Sequence, residues 1–155
     1  MSINNLKIQR VTRELDLGEY QPEYAGQSLT VWVNPPVRVR NEMYGLLNNW
    51  RKAIAAAMLV ENPLRYHQEY KIPLPEDGDQ IKKGTPEEIE AAQEAAREAR
   101  AKYWAWFAQV WEGDSEEDVL ALAEKLSEQE PGLWDYLRTK TIKMIGEYAD
   151  ARKKA

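Results

Sequence analysis

His67 is the only histidine in the chain, and there is no cysteine to help it. A histidine metal site needs a second nitrogen or thiolate ligand, and no HxxxH partner follows His67. As the base of a Ser-His-Asp arrangement it would need a nucleophile. Ser2, Ser28, Ser115 and Ser127 all lack the strand–turn–helix setting that exposes a nucleophilic serine. His67 is therefore read as a polar loop residue. Glu76, Asp77 and Asp79 around Gly78 resemble a calcium loop only in composition. The twelve-residue pattern would close on Glu88, which is already committed to a helix cap. A turn is the expected role of these acids. Neither GxxxxGK[ST] nor GxGxxG occurs in the sequence, so no phosphate-cradling loop is expected. Glu94 and Glu98 are a like-charged i,i+4 pair, which a solvated helix face explains. No catalytic, metal-binding or cofactor-binding residue is assigned, and the chain is expected not to be an enzyme.

The densest chemical signal is aromatic. YWAWFAQVW (103–111) holds Tyr103, Trp104, Trp106, Phe107 and Trp111. At 100° per residue, Tyr103, Trp104, Phe107, Val110 and Trp111 fall within about 120°, and Trp106 widens the arc to about 160°. Ala105, Ala108 and Gln109 lie opposite. One apolar face is what core packing requires. Trp106 sits at its margin, where it and Tyr103 are candidate protein-interaction residues, because tryptophan and tyrosine are enriched at interfaces. A base-stacking platform would need a basic groove. The neighbours here are Glu94, Glu98, Glu112, Asp114, Glu116 and Glu117, so nucleic-acid binding is not expected.

The totals support that reading. At 155 residues the chain is expected to form a single domain (1–155) with its own core. It is 43% hydrophobic and 30% charged, with a net charge of −5, which disfavours phosphate neutralisation unless a local basic patch exists. The lack of cysteine rules out disulfides and points to a cytoplasmic setting. MSINNLKIQRVTREL has no long apolar run, so no signal peptide is expected. No stretch nears 18 apolar residues, so no membrane span or membrane partner is expected.

The fold class that follows is mainly α (α+β): about four helices packed with a small N-terminal β-hairpin. Residues 1–36 form the hairpin. LKIQRVTRELDL (6–17) alternates through Leu6, Ile8 and Val11, and SLTVWV (28–33) is β-branched and aromatic. Asn34-Pro35-Pro36 stops the second strand. Trp32 has two readings: it packs the hairpin on the helices, or it forms a contact at the β-edge. A helix over 37–61 carries Met43, Leu46, Leu47, Trp50, Ile54, Met58 and Leu59 at three- and four-residue steps, and Asn62-Pro63 ends it. Residues 62–84 read as a long loop, which joins Trp32 and the margin of the aromatic face as a candidate contact surface. Residues 85–155 hold three helices. The first is capped by Thr85-Pro86 with Glu88 and runs to about Glu112, with Gly113 as the stop. The second covers about 114–130, capped by Asp114 or Ser115. The last covers about 133–152 and ends in cations that suit its dipole.

This order of features resembles the tail assembly chaperones of long-tailed bacteriophages. The residues that carry the resemblance are LDLGEYQPEYAGQSLTVWVNPP (15–36), WFAQVW followed by EGDSEEDVLALAEK (112–125), and PGLWDYLRTKTIKMIGEY (131–148). The resemblance implies a non-enzymatic protein of the host cytoplasm. Such proteins bind the tape measure protein, recruit tail tube subunits and keep both soluble during tail assembly. It implies no cofactor and is compatible with self-association. Family members often have a frameshifted longer form, and Lys153-Lys154 suits an A-rich slippery stretch. The alternative is a structural virion component, such as a head–tail connector or tail-completion protein.

Overall fold

The computed structural model describes residues 5–76 and 81–154. They form two compact units, Met1–Arg40 with Trp104–Ala155, and Asn41–Tyr103. Among the described residues there is one two-stranded sheet and five α-helices, and no helix is long and apolar enough to cross a membrane.

In the first unit, β1 (Thr12–Asp16) and β2 (Ser28–Trp32) pair antiparallel, with Arg13 opposite Val31 and Leu15 opposite Leu29. Leu15 and Val31 point into the core and are buried. On the outer face, the Ser28 and Thr30 hydroxyls donate to the Glu14 carboxylate at 2.8 and 2.7 Å. These bonds hold the Glu14 pKa below its ordinary value, with Thr30 the larger cause and Ser28 the second. The strand begins at Thr12, not near Leu6. Leu6 and Ile8, whose alternation suggested a longer strand, are 66% and 89% exposed. The loop between the strands is made of two 3₁₀ turns, Leu17–Glu19 and Pro22–Tyr24.

Two helices belong only in part to the first unit. The start of α1 (Val37–Glu61) and the end of α3 (Pro86–Ala105) belong to it, and α4 (Glu116–Gln129) and α5 (Pro131–Lys154) lie wholly within it. The helix expected to reach Glu112 stops at Ala105 and tightens into a 3₁₀ turn, Trp106–Gln109. The reason lies in the sheet. The chain beyond that turn leaves the helix to cover the outer edge of β2: Trp32 N donates to Val110 O at 2.8 Å and Glu112 N to Thr30 O at 2.9 Å. A sheet edge left open is a liability, and this pairing closes it. Gly113 then takes φ +85°, a conformation that glycine adopts freely. Ser115 is the cap of α4, with Asp118 completing a capping box.

The core of this unit is the aromatic stretch. Phe107 is fully buried, with its ring 5.1 Å from those of both Trp106 and Trp111. Trp134 of α5 meets Trp104 and Trp111 edge-on at 5.5 and 5.9 Å. Val119, Ala123 and Leu126 of α4 and Leu133, Leu137 and Ile145 of α5 complete the packing.

The second unit holds the rest of α1, then α2 (Pro63–Glu69) and most of α3. Helix α2 is a correction to the expected 62–84 loop and accounts for five helices instead of about four. Asn62 both ends α1 and caps α2: its Oδ1 accepts from Arg65 N at 3.2 Å, with Pro63 in the first turn. The expected cap of α3 is present, with Glu88 N donating to Thr85 Oγ1 at 3.2 Å. The apolar stripe of α1 is present too, but thinly covered. Met43 is buried, Leu46, Leu47, Trp50 and Met58 are half-buried, and Ile54 and Leu59 are exposed.

Candidate functional site

The three residues expected to meet a partner have separate fates. Trp106 is not at an exposed margin. It is 2% exposed, and its Nε1 donates to the Val39 carbonyl at 2.9 Å. The 3₁₀ tightening at residue 106 rotates the indole inward, off the wheel position an α-helix would give it. Tyr103 is also 2% exposed and stacks on Trp50 with ring centroids 5.6 Å apart. Both are packing residues in this chain. Trp32 alone remains half-buried.

Trp32 forms a wall of an open cleft of about 490 Å³, lined also by Ile8, Pro35, Pro36, Val37 and Tyr148. Ile8 and Val37 are 89% and 66% exposed. Asn34, which follows the end of β2, organises one wall of the cleft. Asn34 Oδ1 accepts from the Trp32 indole at 2.9 Å and from the Val11 amide at 2.7 Å. Its Nδ2 donates to the Gln9 carbonyl at 2.7 Å. Asn34 thus ties residues 9–11 beside the end of β2 and fixes the indole between them. Nothing in Asn-Pro-Pro announces this, because the three partners are distant in sequence or depend on the hairpin closing.

The electrostatics of the cleft oppose those of the chain. The Arg10 guanidinium lies over the Trp32 ring, 4.2 Å from its centroid, and Arg10 Nε pairs with Glu112 at 2.9 Å. The stack is a cation–π contact. Arg152 lines the same cleft, and Arg13 lies 5.9 Å from the Tyr148 ring. A chain of net charge −5 therefore places two guanidiniums, Arg10 and Arg152, in the lining of a mostly apolar cleft. With Arg10 over one face of the indole, that face is closed to a stacking base. Apolar walls with a charged rim can hold an extended or helical peptide segment.

The other chemically suggestive residues have local partners. His67 lies in α2, with its Nδ1 3.3 Å from the Ile72 carbonyl, which can only accept. Arg97 pairs with Glu94 and, at 2.9 Å, with Glu90, and this raises the Arg97 pKa, with Glu94 the larger cause. Ser127 Oγ donates to the Glu124 carbonyl. Asp77 and Asp79 of the suggested calcium loop, and Ser2, lie outside the described residues. Among the described residues, no group of three or more His, Asp or Glu side chains converges to hold a metal ion.

No protein-family model, curated protein or solved structure matches the chain.

Proposed function

We propose that this chain is a non-enzymatic assembly chaperone or adaptor of a phage tail, acting in the host cytoplasm. On this reading it binds the tape measure protein and tail tube subunits and keeps them soluble until the tube is built. The observation that carries it is the Trp32 cleft: a half-buried indole, pinned by Asn34, beside exposed Ile8 and Val37. Exposed aliphatic surface next to a fixed aromatic anchor is the make-up of a protein-docking site. The order of hairpin, aromatic stretch, acidic α4 and tryptophan-bearing α5 supports the tail-chaperone assignment through the resemblance described above.

The thin cover over the apolar stripe of α1 adds to this reading. Client proteins that polymerise bury apolar surface, and a chaperone must offer apolar surface in exchange while staying soluble through its charge. The test is co-expression with the tape measure and tail tube proteins of the same phage, read by pull-down and light scattering. A soluble complex with either client supports the reading. No association, with the chain found in purified virions, replaces it with the structural virion component.

A further inference from the structure

The exposed apolar residues of the second unit include a short strap whose chemistry matches the Trp32 cleft. The strap is Ile72-Pro73-Leu74-Pro75-Glu76, which forms neither helix nor strand. Ile72 and Leu74 are 40% and 51% exposed. Each precedes a proline, so each is pushed to extended backbone, and the prolines themselves fix φ near about −65°. The strap is therefore already extended and loses little conformational freedom on docking. Proline-bearing extended segments dock on aromatic-walled grooves for this reason. The Ile72 amide donates to the His67 carbonyl at 3.0 Å, which anchors the strap where α2 ends.

Charge gives the direction. The strap ends in Glu76, a carboxylate on its exposed side. The cleft is lined by Arg10 and Arg152; Arg10 is already paired to Glu112, so Arg152 is the cation that meets the acidic end of the strap. The cleft volume of about 490 Å³ lies in the range of pockets that enclose a small ligand, roughly 300–1,000 Å³. We infer that the occupant of the Trp32 cleft is the Ile72–Glu76 strap of a second copy of this chain. This rests on the cleft being a protein-docking site, as proposed above. Strap and cleft are different surfaces, so the contact is heterologous: each copy offers one strap and one cleft, and copies add head to tail. A client segment of the same apolar and acidic chemistry would compete for the cleft.

The test is sedimentation of the full chain over a concentration series. The mass is expected to rise with concentration and to fall as salt shortens the screening length from about 10 Å at 0.1 M to about 3 Å at 1 M. Ile72→Ser with Leu74→Ser removes the strap's grip and leaves the cleft intact. Arg152→Glu removes cleft charge and leaves the indole and the strap intact. Each variant alone is expected to stay monomeric. Mixed together they are expected to form a 1:1 dimer, because the intact strap of one meets the intact cleft of the other. A wild-type chain that stays monomeric up to about 1 mM, equivalent to under about 4 kcal/mol of association, overturns the inference, and so does a mixture that stays monomeric. If the wild type is monomeric yet captures clients through Trp32, self-association alone falls. If it binds single-stranded oligonucleotides at the cleft instead, the docking reading falls with it.

Discussion

The Trp111 indole donates to the Thr141 hydroxyl at 2.9 Å, and Thr141 donates in turn to the Leu137 carbonyl at 2.6 Å. Both side chains are almost fully buried, at 1% and 0% exposed. Trp111 lies in the segment that closes the edge of β2, and Thr141 lies in α5, so this pair fastens the hairpin side of the core to the last helix. Thr141→Val keeps the shape and leaves the indole N–H without its acceptor. It should cost about 1–3 kcal/mol of unfolding free energy, which lowers Tm by about 2–4 °C per kcal/mol. Thr141→Ser keeps both bonds and should lose less. Equal losses in thermal melts of the two variants would contradict this account.

Trp106 and Trp32 should separate cleanly under mutation. Trp106→Phe removes the indole's bond to the Val39 carbonyl and opens a cavity, for a loss on the order of 2–4 kcal/mol. Trp32→Ala removes a half-exposed ring and a cation–π contact, for a loss of about 1–2 kcal/mol. Denaturant midpoints at unchanged slope would measure both, and a Trp32 effect larger than the Trp106 effect would reverse the roles assigned to them.

Asn34→Ala removes the three Asn34 bonds to the Val11 amide, the Gln9 carbonyl and the Trp32 indole, and leaves the Val11 carbonyl bonded to the Val33 amide and Arg10 paired with Glu112. The Val11 amide should then exchange with solvent far faster, while amides in α5 keep their protection, since local opening is independent of the global core. Unchanged exchange at Val11 would show that the arm is held by something else.

Glu14 gives a pH signature. Its carboxylate is stabilised by Thr30 first and Ser28 second, so its pKa in the folded chain lies below the ordinary 4.5. The folded state takes up this proton less readily than the unfolded state. The contribution is therefore complete above the ordinary value and is lost as pH falls through the lowered one. Glu14→Gln should be less stable than wild type near neutral pH, and the gap should close on acidification. A gap that stays constant with pH would remove the carboxylate as its cause.

Much of this was legible in the sequence because local chemistry decided it. The capping boxes at Thr85 and Ser115 are satisfied within three residues, and the apolar character of 103–111 marks it as core although its second half is not helical. What escaped depended on distant partners. The helix stops at Ala105 because the chain after it must pair with β2, and no residue within 106–111 records that obligation. For the same reason Trp106 turned inward toward Val39 instead of outward. Helix α2 did carry a signal: Asn62-Pro63 is as good a helix start as a helix stop, and here it is both. Of the site, Trp32 was identifiable as an aromatic at a strand end. Asn34 and the guanidinium rim were not, because they meet only when residues 8–13, 32–37 and 148–152 come together.

The proposed function places client binding at the Trp32 cleft. The most direct measurement is co-expression of wild type and Trp32→Ala with the tape measure and tail tube proteins, with circular dichroism confirming that the variant is folded. Wild type is expected to bring a client into the soluble fraction as a complex, and folded Trp32→Ala is expected not to. Equal recovery of client with both proteins, or with neither, would contradict client binding at the cleft.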